Sequence, residues 1–151
     1  MPELPEVETT ILNLRIKVRN RTFIDVWTDF KNIVKKPSFD EFKKRFKNKK
    51  GKIKQILMDQ SIVSGIGNIY SDEILFEARI HPFREIKKLT NEEIKRIYQA
   101  TKKILKKAVE LKGAILKVYR REGEKCSRCG TIIKRVKLAG RSAHFCPKCQ
   151  V

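Results

Sequence analysis

Four cysteines in the last 26 residues have the spacing of a metal site. Cys126 and Cys129 form one C-x-x-C pair, Cys146 and Cys149 form a second, and 16 residues separate them. Each pair can clamp one edge of a tetrahedral ion, and the intervening stretch can fold back as a hairpin. Thiolate donors suit Zn2+ better than Mg2+ or Ca2+. Reduced, unliganded thiols and an iron–sulfur cluster are the competing uses of the same spacing. His81 and His144 are the remaining nitrogen donors. Four thiolates already complete the site, so His81 reads as a turn residue and His144 as a hairpin residue.

The second chemical feature is charge. The 151 residues carry 36 Lys and Arg against 17 Asp and Glu, a formal charge of +19. Residues 83–151 hold 20 of the basic groups and 6 of the acidic ones, so most of the excess lies in the C-terminal half. A compact chain with this excess repels itself unless a polyanion is near. Nucleic acid is the expected partner. An anionic membrane surface fits less well, because no basic helix carries an isolated aromatic face.

Composition excludes other classes. With 40% hydrophobic residues the chain is not wholly disordered. No apolar run reaches the ~18 residues of a membrane-spanning helix. The start, with Pro2, Glu3 and Glu6, lacks the basic-then-apolar order of a secretory signal, which predicts an intracellular chain.

These residues need elements to position them. Residues 5–18 read as a helix with Val7, Ile11, Leu14 and Val18 on one face, and residues 22–30 as a strand. Ser38 and Glu41 form a capping box for a helix over 39–47, with Phe39, Phe42 and Phe46 together. A basic junction, 47–52, leads to a helical stretch over 53–62. Ser64 to Asn68 reads as a tight turn, and Asn68 as the N-cap of a helix over 69–79 that His81-Pro82 ends. Thr90 and Glu93 box the start of the longest helix, 91–111, stopped by Gly113. Its inner stripe is Ile94, Ile97, Tyr98, Thr101, Ile104, Leu105 and Ala108. Residues 116–150 read as short strands around the cysteines, turning at Leu138-Ala139-Gly140.

Three segments together carry a family resemblance. They are MPELPEVET at the N-terminus, MDQSIVSGIGNIYSDEILFEARIHP over 58–82, and VYRREGEKCSRCG followed by GRSAHFCPKCQ at the end. In this order they resemble formamidopyrimidine-DNA glycosylases, the bacterial family that includes endonuclease VIII. The resemblance implies a mainly α protein with small β content. It would comprise a shortened N-terminal catalytic segment (1–50), a helix-two-turn-helix DNA-binding domain (51–113) and a zinc β-hairpin finger (114–151).

It also implies a chemistry. Removal of Met1 would leave Pro2 with a free secondary amine. An α-amino group has a pKa of about 7.7–8.0, so a useful fraction is neutral near pH 7. Such an amine can attack C1′ of a deoxyribose and form a Schiff base. Glu3 matches the family's acid/base and Glu6 a second acid near the site. Lys54, Gly67, Asn68 and Arg141 match DNA-contacting positions. Gly65 and Gly67 would let backbone N–H groups approach a phosphate, and Arg141 at the hairpin tip would grip phosphates beside an everted nucleotide. The implied substrate is damaged double-stranded DNA with oxidised purines or an abasic site. The implied setting is a monomer in the bacterial cytoplasm, at the nucleoid.

The chain departs from the family pattern in places. Most of the β-sandwich between the N-terminal helix and the helix-two-turn-helix is missing, as is the stretch before VYRREG that includes a loop over the lesion. Arg120 stands where the family usually has Gly, and Ala143 where it usually has Thr. A DNA-binding remnant, without catalysis, is the alternative reading.

Overall fold

The computed structural model describes residues 37–63, 65–111 and 115–151. The helix expected over 5–18, the strand over 22–30, Pro2, Glu3, Glu6 and the stop at Gly113 lie outside the described residues.

The order of elements is α1 (Phe39–Phe46), α2 (Ile53–Leu57), α3 (Asn68–Ala78), a 3-10 turn (Ile86–Lys88), α4 (Asn91–Glu110), β1 (Lys134–Leu138) and β2 (Arg141–Phe145). The described chain is thus mostly helical and ends in a two-stranded antiparallel hairpin.

Both capping boxes form. Ser38 Oγ accepts the Glu41 N–H while Glu41 accepts the Ser38 N–H, and Thr90 and Glu93 do the same at α4. α1 lies on α4 through its aromatic face: Phe42 is 5.3 Å from Tyr98 by ring centroid, and Tyr98 Oη donates to Pro37 O. Phe42 and Phe46 share one core with Ile53, Leu57, Ile66, Ile74 and Ile97.

The helix expected over 53–62 is shorter than its pattern. α2 stops at Leu57. Asp59 Oδ1 accepts both the backbone N–H and the hydroxyl of Ser61, and the Ile62 and Val63 N–H groups turn back to Asp59 O. This local side-chain pairing offers the backbone an alternative to the helix. The Gln60 amide then braces the following turn, accepting from the Gly65 N–H and donating to Ile66 O.

α3 begins one residue earlier than expected. Gly67 O accepts the Ser71 N–H, so Gly67 occupies the cap position and Asn68 is the first helical residue. No side chain caps this end.

α3 is buried nearly all round, and for that reason its apolar residues show no single face. Ile74, Leu75 and Ala78 belong to the helical core. Phe76 instead joins Val118, Cys126, Ile133 and Cys146 in a second, smaller core under the hairpin. One helix therefore serves two cores.

Candidate nucleic-acid interface and metal centre

The C-terminal hairpin is built around a two-residue turn. Leu138 pairs with Arg141, and Ala139 and Gly140 have φ of 49° and 77°. Positive φ at both central positions is the turn whose twist matches the flanking strands. It carries Arg141 at the start of β2, exposed at the tip.

The cysteine pairs flank the hairpin. The four Sγ atoms lie within 4.8 Å of one another, with Cys129 3.4 Å from Cys146 and Cys126 3.9 Å from Cys149. A tetrahedral site with Zn–S bonds of about 2.3 Å needs S···S edges of roughly 3.8 Å, so these thiols fit one. The Arg128 N–H points at Cys126 Sγ and the Cys149 N–H at Cys146 Sγ, each at 3.4 Å, donors that would support ligating thiolates. Burial pushes the Cys146 and Cys149 thiols up, whereas the Thr131 hydroxyl and N–H draw Cys129 down to about 6. Neither histidine belongs to the cluster. His81 lies in the loop after α3, edge-on to Phe145 at 4.4 Å, and His144 lies in β2.

The finger is fastened to α3 by three carboxylates. Asp72 is fully buried: Oδ1 is 2.5 Å from Lys54 Nζ, and Oδ2 accepts the His144 backbone N–H at 3.0 Å and contacts its Nδ1 at 2.9 Å. Glu73 Oε1 accepts the N–H groups of Lys117, Val118 and Tyr119, each at 2.9 Å. Burial raises the Glu73 pKa, and these three donors oppose the rise. Glu77 binds Arg128, whose guanidinium also donates to Phe76 O and lies 4.3 Å over the Phe76 ring. At the far end Gln150 Nε2 donates to Ile80 O.

Lys54, expected among the DNA-contacting cations, has no solvent exposure. Its ammonium reaches Asp72, Ser71 Oγ at 3.1 Å and Asn68 O at 3.3 Å. It therefore acts on the start of α3 from inside. Asn68 is half-buried, and its Oδ1 is buried without a hydrogen-bond partner. Asp72 lies one turn beyond Asn68 on α3, and His144 lies three residues beyond Arg141. One buried carboxylate thus connects the helix start to the hairpin strand.

Sequence reasoning missed Asp72, Glu73 and Glu77 as the joint. Their signal was present: adjacent acids in an otherwise apolar helix must find partners elsewhere. Lys54 inside the apolar run IKQIL was the matching cation.

The fold and site define a helix-two-turn-helix protein with a four-cysteine finger docked on α3. The chain belongs to the formamidopyrimidine-DNA glycosylase family. Residues 31–120 match the family model of the formamidopyrimidine-DNA glycosylase H2TH domain, 123–151 the zinc finger found in FPG and IleRS, and 1–56 the formamidopyrimidine-DNA glycosylase N-terminal domain. Formamidopyrimidine-DNA glycosylase of Listeria innocua is 47% identical over 115 residues, which are 65% of this chain and 42% of that protein. The Lactococcus lactis enzyme is 39% identical over 142 residues, 80% of this chain and 52% of its own length. A solved complex of Lactococcus lactis Fpg with abasic-site DNA superposes with a TM-score of 0.71 at 39% identity, covering 75% of this chain and 48% of that one. The MutM (Fpg) protein of Thermus thermophilus gives 0.70, over 75% and 50%. The chain spans about half the length of the curated relatives it matches.

Proposed function

We propose that this chain is a DNA base-excision repair glycosylase with abasic-site lyase activity. It acts on oxidised purines in double-stranded DNA, as a monomer at the bacterial nucleoid. One observation carries the reading. The start of α3, with Asn68, and the Arg141 hairpin are fastened to one buried carboxylate, Asp72. Two phosphate-gripping elements held in fixed relation are what an enzyme needs to hold a duplex while one nucleotide leaves the stack.

Residues divide the work. Segment 1–50 supplies the chemistry, 51–113 the helical clamp and 114–151 the finger. Gly67 and Asn68 meet the backbone at the α3 start, Arg141 meets it at the hairpin tip, and Lys54 holds the Asn68 carbonyl from within. Cys126, Cys129, Cys146 and Cys149 hold Zn2+, which neutralises the crowded thiolates and keeps the hairpin in place. The Pro2 amine attacks C1′, the bond to the base breaks, and an imine forms as Glu3 delivers a proton to the opening sugar. The imine takes up the electron pair when the 2′ proton is lost, and the 3′ phosphate leaves. Repetition expels the 5′ phosphate. Glu6 assists as a nearby acid.

Borohydride trapping on a duplex with one abasic site tests the proposal, using wild type and Pro2→Gly. A covalent adduct in wild type that is lost in the variant is expected. A protein that binds zinc and duplex, lacks Met1 and yields no adduct would be the non-catalytic DNA-binding remnant.

A further inference from the structure

The link between the helical core and the finger passes through an unfavourable backbone conformation. Arg120 has φ of 56°, in the left-handed region that L side chains avoid. Glycine would adopt it freely. Such strain persists only where the surroundings hold it, and it gathers at sites that do something.

No carboxylate among the described residues pairs with the Arg120 guanidinium. Several basic residues of this region are paired: Lys117 and Arg128 with Glu77, Arg121 with Glu124, and Arg135 with Glu122. Among the described residues Arg120 makes no ion pair, and it is exposed. Its guanidinium lies 5.6 Å over the Tyr119 ring. That ring is itself fixed, because the Tyr119 N–H is held by Glu73 and its edge meets His144 at 4.9 Å. A guanidinium laid on a fixed aromatic ring keeps its N–H donors available at its rim.

The position matters as much as the posture. Glu73 and Asp72 follow Asn68 by about one turn of α3, and His144 sits on the strand that begins at Arg141. Arg120 therefore stands where these two elements are joined.

We infer that Arg120 is a further contact to a DNA backbone phosphate. The inference rests on the DNA-clamp reading above. A planar fork with several donors matches a phosphate, and a rigid platform lowers the ordering cost of making the contact.

The test is the salt dependence of affinity for a short duplex carrying one abasic-site analogue, measured on the full zinc-loaded chain. Wild type, Arg120→Gly and Arg120→Lys are compared, each with its Tm. Arg120→Gly should bind about three- to tenfold more weakly near 0.1 M salt, with the slope of log K on log salt reduced by about 1. Its Tm should not fall, since the strain is relieved. Arg120→Lys should restore the slope. An unchanged slope and affinity in Arg120→Gly, beside a wild type that binds, would overturn the inference and leave the clamp standing. So would weaker binding with an unchanged slope and a lowered Tm, which marks a structural residue. A wild type without salt-dependent duplex binding would overturn the clamp reading, and this contact with it.

Discussion

Lys54 Nζ lies 2.5 Å from Asp72 Oδ1, and neither side chain has any solvent exposure. The other Asp72 oxygen holds His144 by its backbone and its ring. Removing one partner of a buried pair leaves an uncompensated charge, at a cost of about 3–5 kcal/mol. Asp72→Leu should therefore be destabilised by roughly that amount in denaturant unfolding. Adding Lys54→Met removes the stranded ammonium and should recover part of the loss. Equal stability of the single and double variants would show that the pair does not set the cost.

The hairpin tip carries a second local strain. Ala139 has φ of 49°, whereas its neighbour Gly140, at 77°, meets no steric penalty. A non-glycine residue in this region costs roughly 1–2 kcal/mol. Ala139→Gly should gain about 1 kcal/mol at most, because glycine also loosens the unfolded chain. Thermal unfolding of the zinc-loaded protein would register the change as a Tm rise of a few degrees.

Acid should loosen the joint between α3 and the finger. Partial burial pushes the Glu77 pKa up, but Lys103, Arg128 and Lys117 together hold it below the ordinary glutamate range. A carboxylate with a lowered folded pKa contributes stability above its unfolded pKa of about 4.3, and that contribution fades as pH falls through the folded value. Stability measured from pH 6 down to pH 3 should show this loss, and Glu77→Gln should flatten that part of the curve. A variant with the wild-type acid limb would assign the loss to other carboxylates.

Metal removal should act mainly on the finger. A chelator that strips zinc should unfold residues 118–151, since the hairpin has only two strands and a small core beneath it. Amide exchange would show protection lost in β1 and β2 and retained in α4. Duplex affinity should fall with it, because Arg141 loses its scaffold. Affinity that survives complete metal loss would remove Arg141 from the interface.

Much of this protein was legible in its sequence by itself. Ser38 with Glu41, Thr90 with Glu93, the paired C-x-x-C spacings and the helical stripe from Ile94 to Ala108 each depend on partners a few residues away or on a short repeat. Residue type and spacing suffice for such features, and the structure forms the two boxes, the long helix and the four-thiol cluster. The three separated motifs likewise identified the family. Tertiary structure decided the rest. Lys54 meets Asp72 across 18 positions, and Asp72 meets His144 across 72. A lysine in that sequence can be drawn as a solvated cation as easily as a buried one, and only the packing of α2, α3 and β2 removes its water. The cap at Gly67 and the left-handed Arg120 follow the same logic. Each is a local preference overruled, or selected among several, by groups brought close when the two cores close on α3.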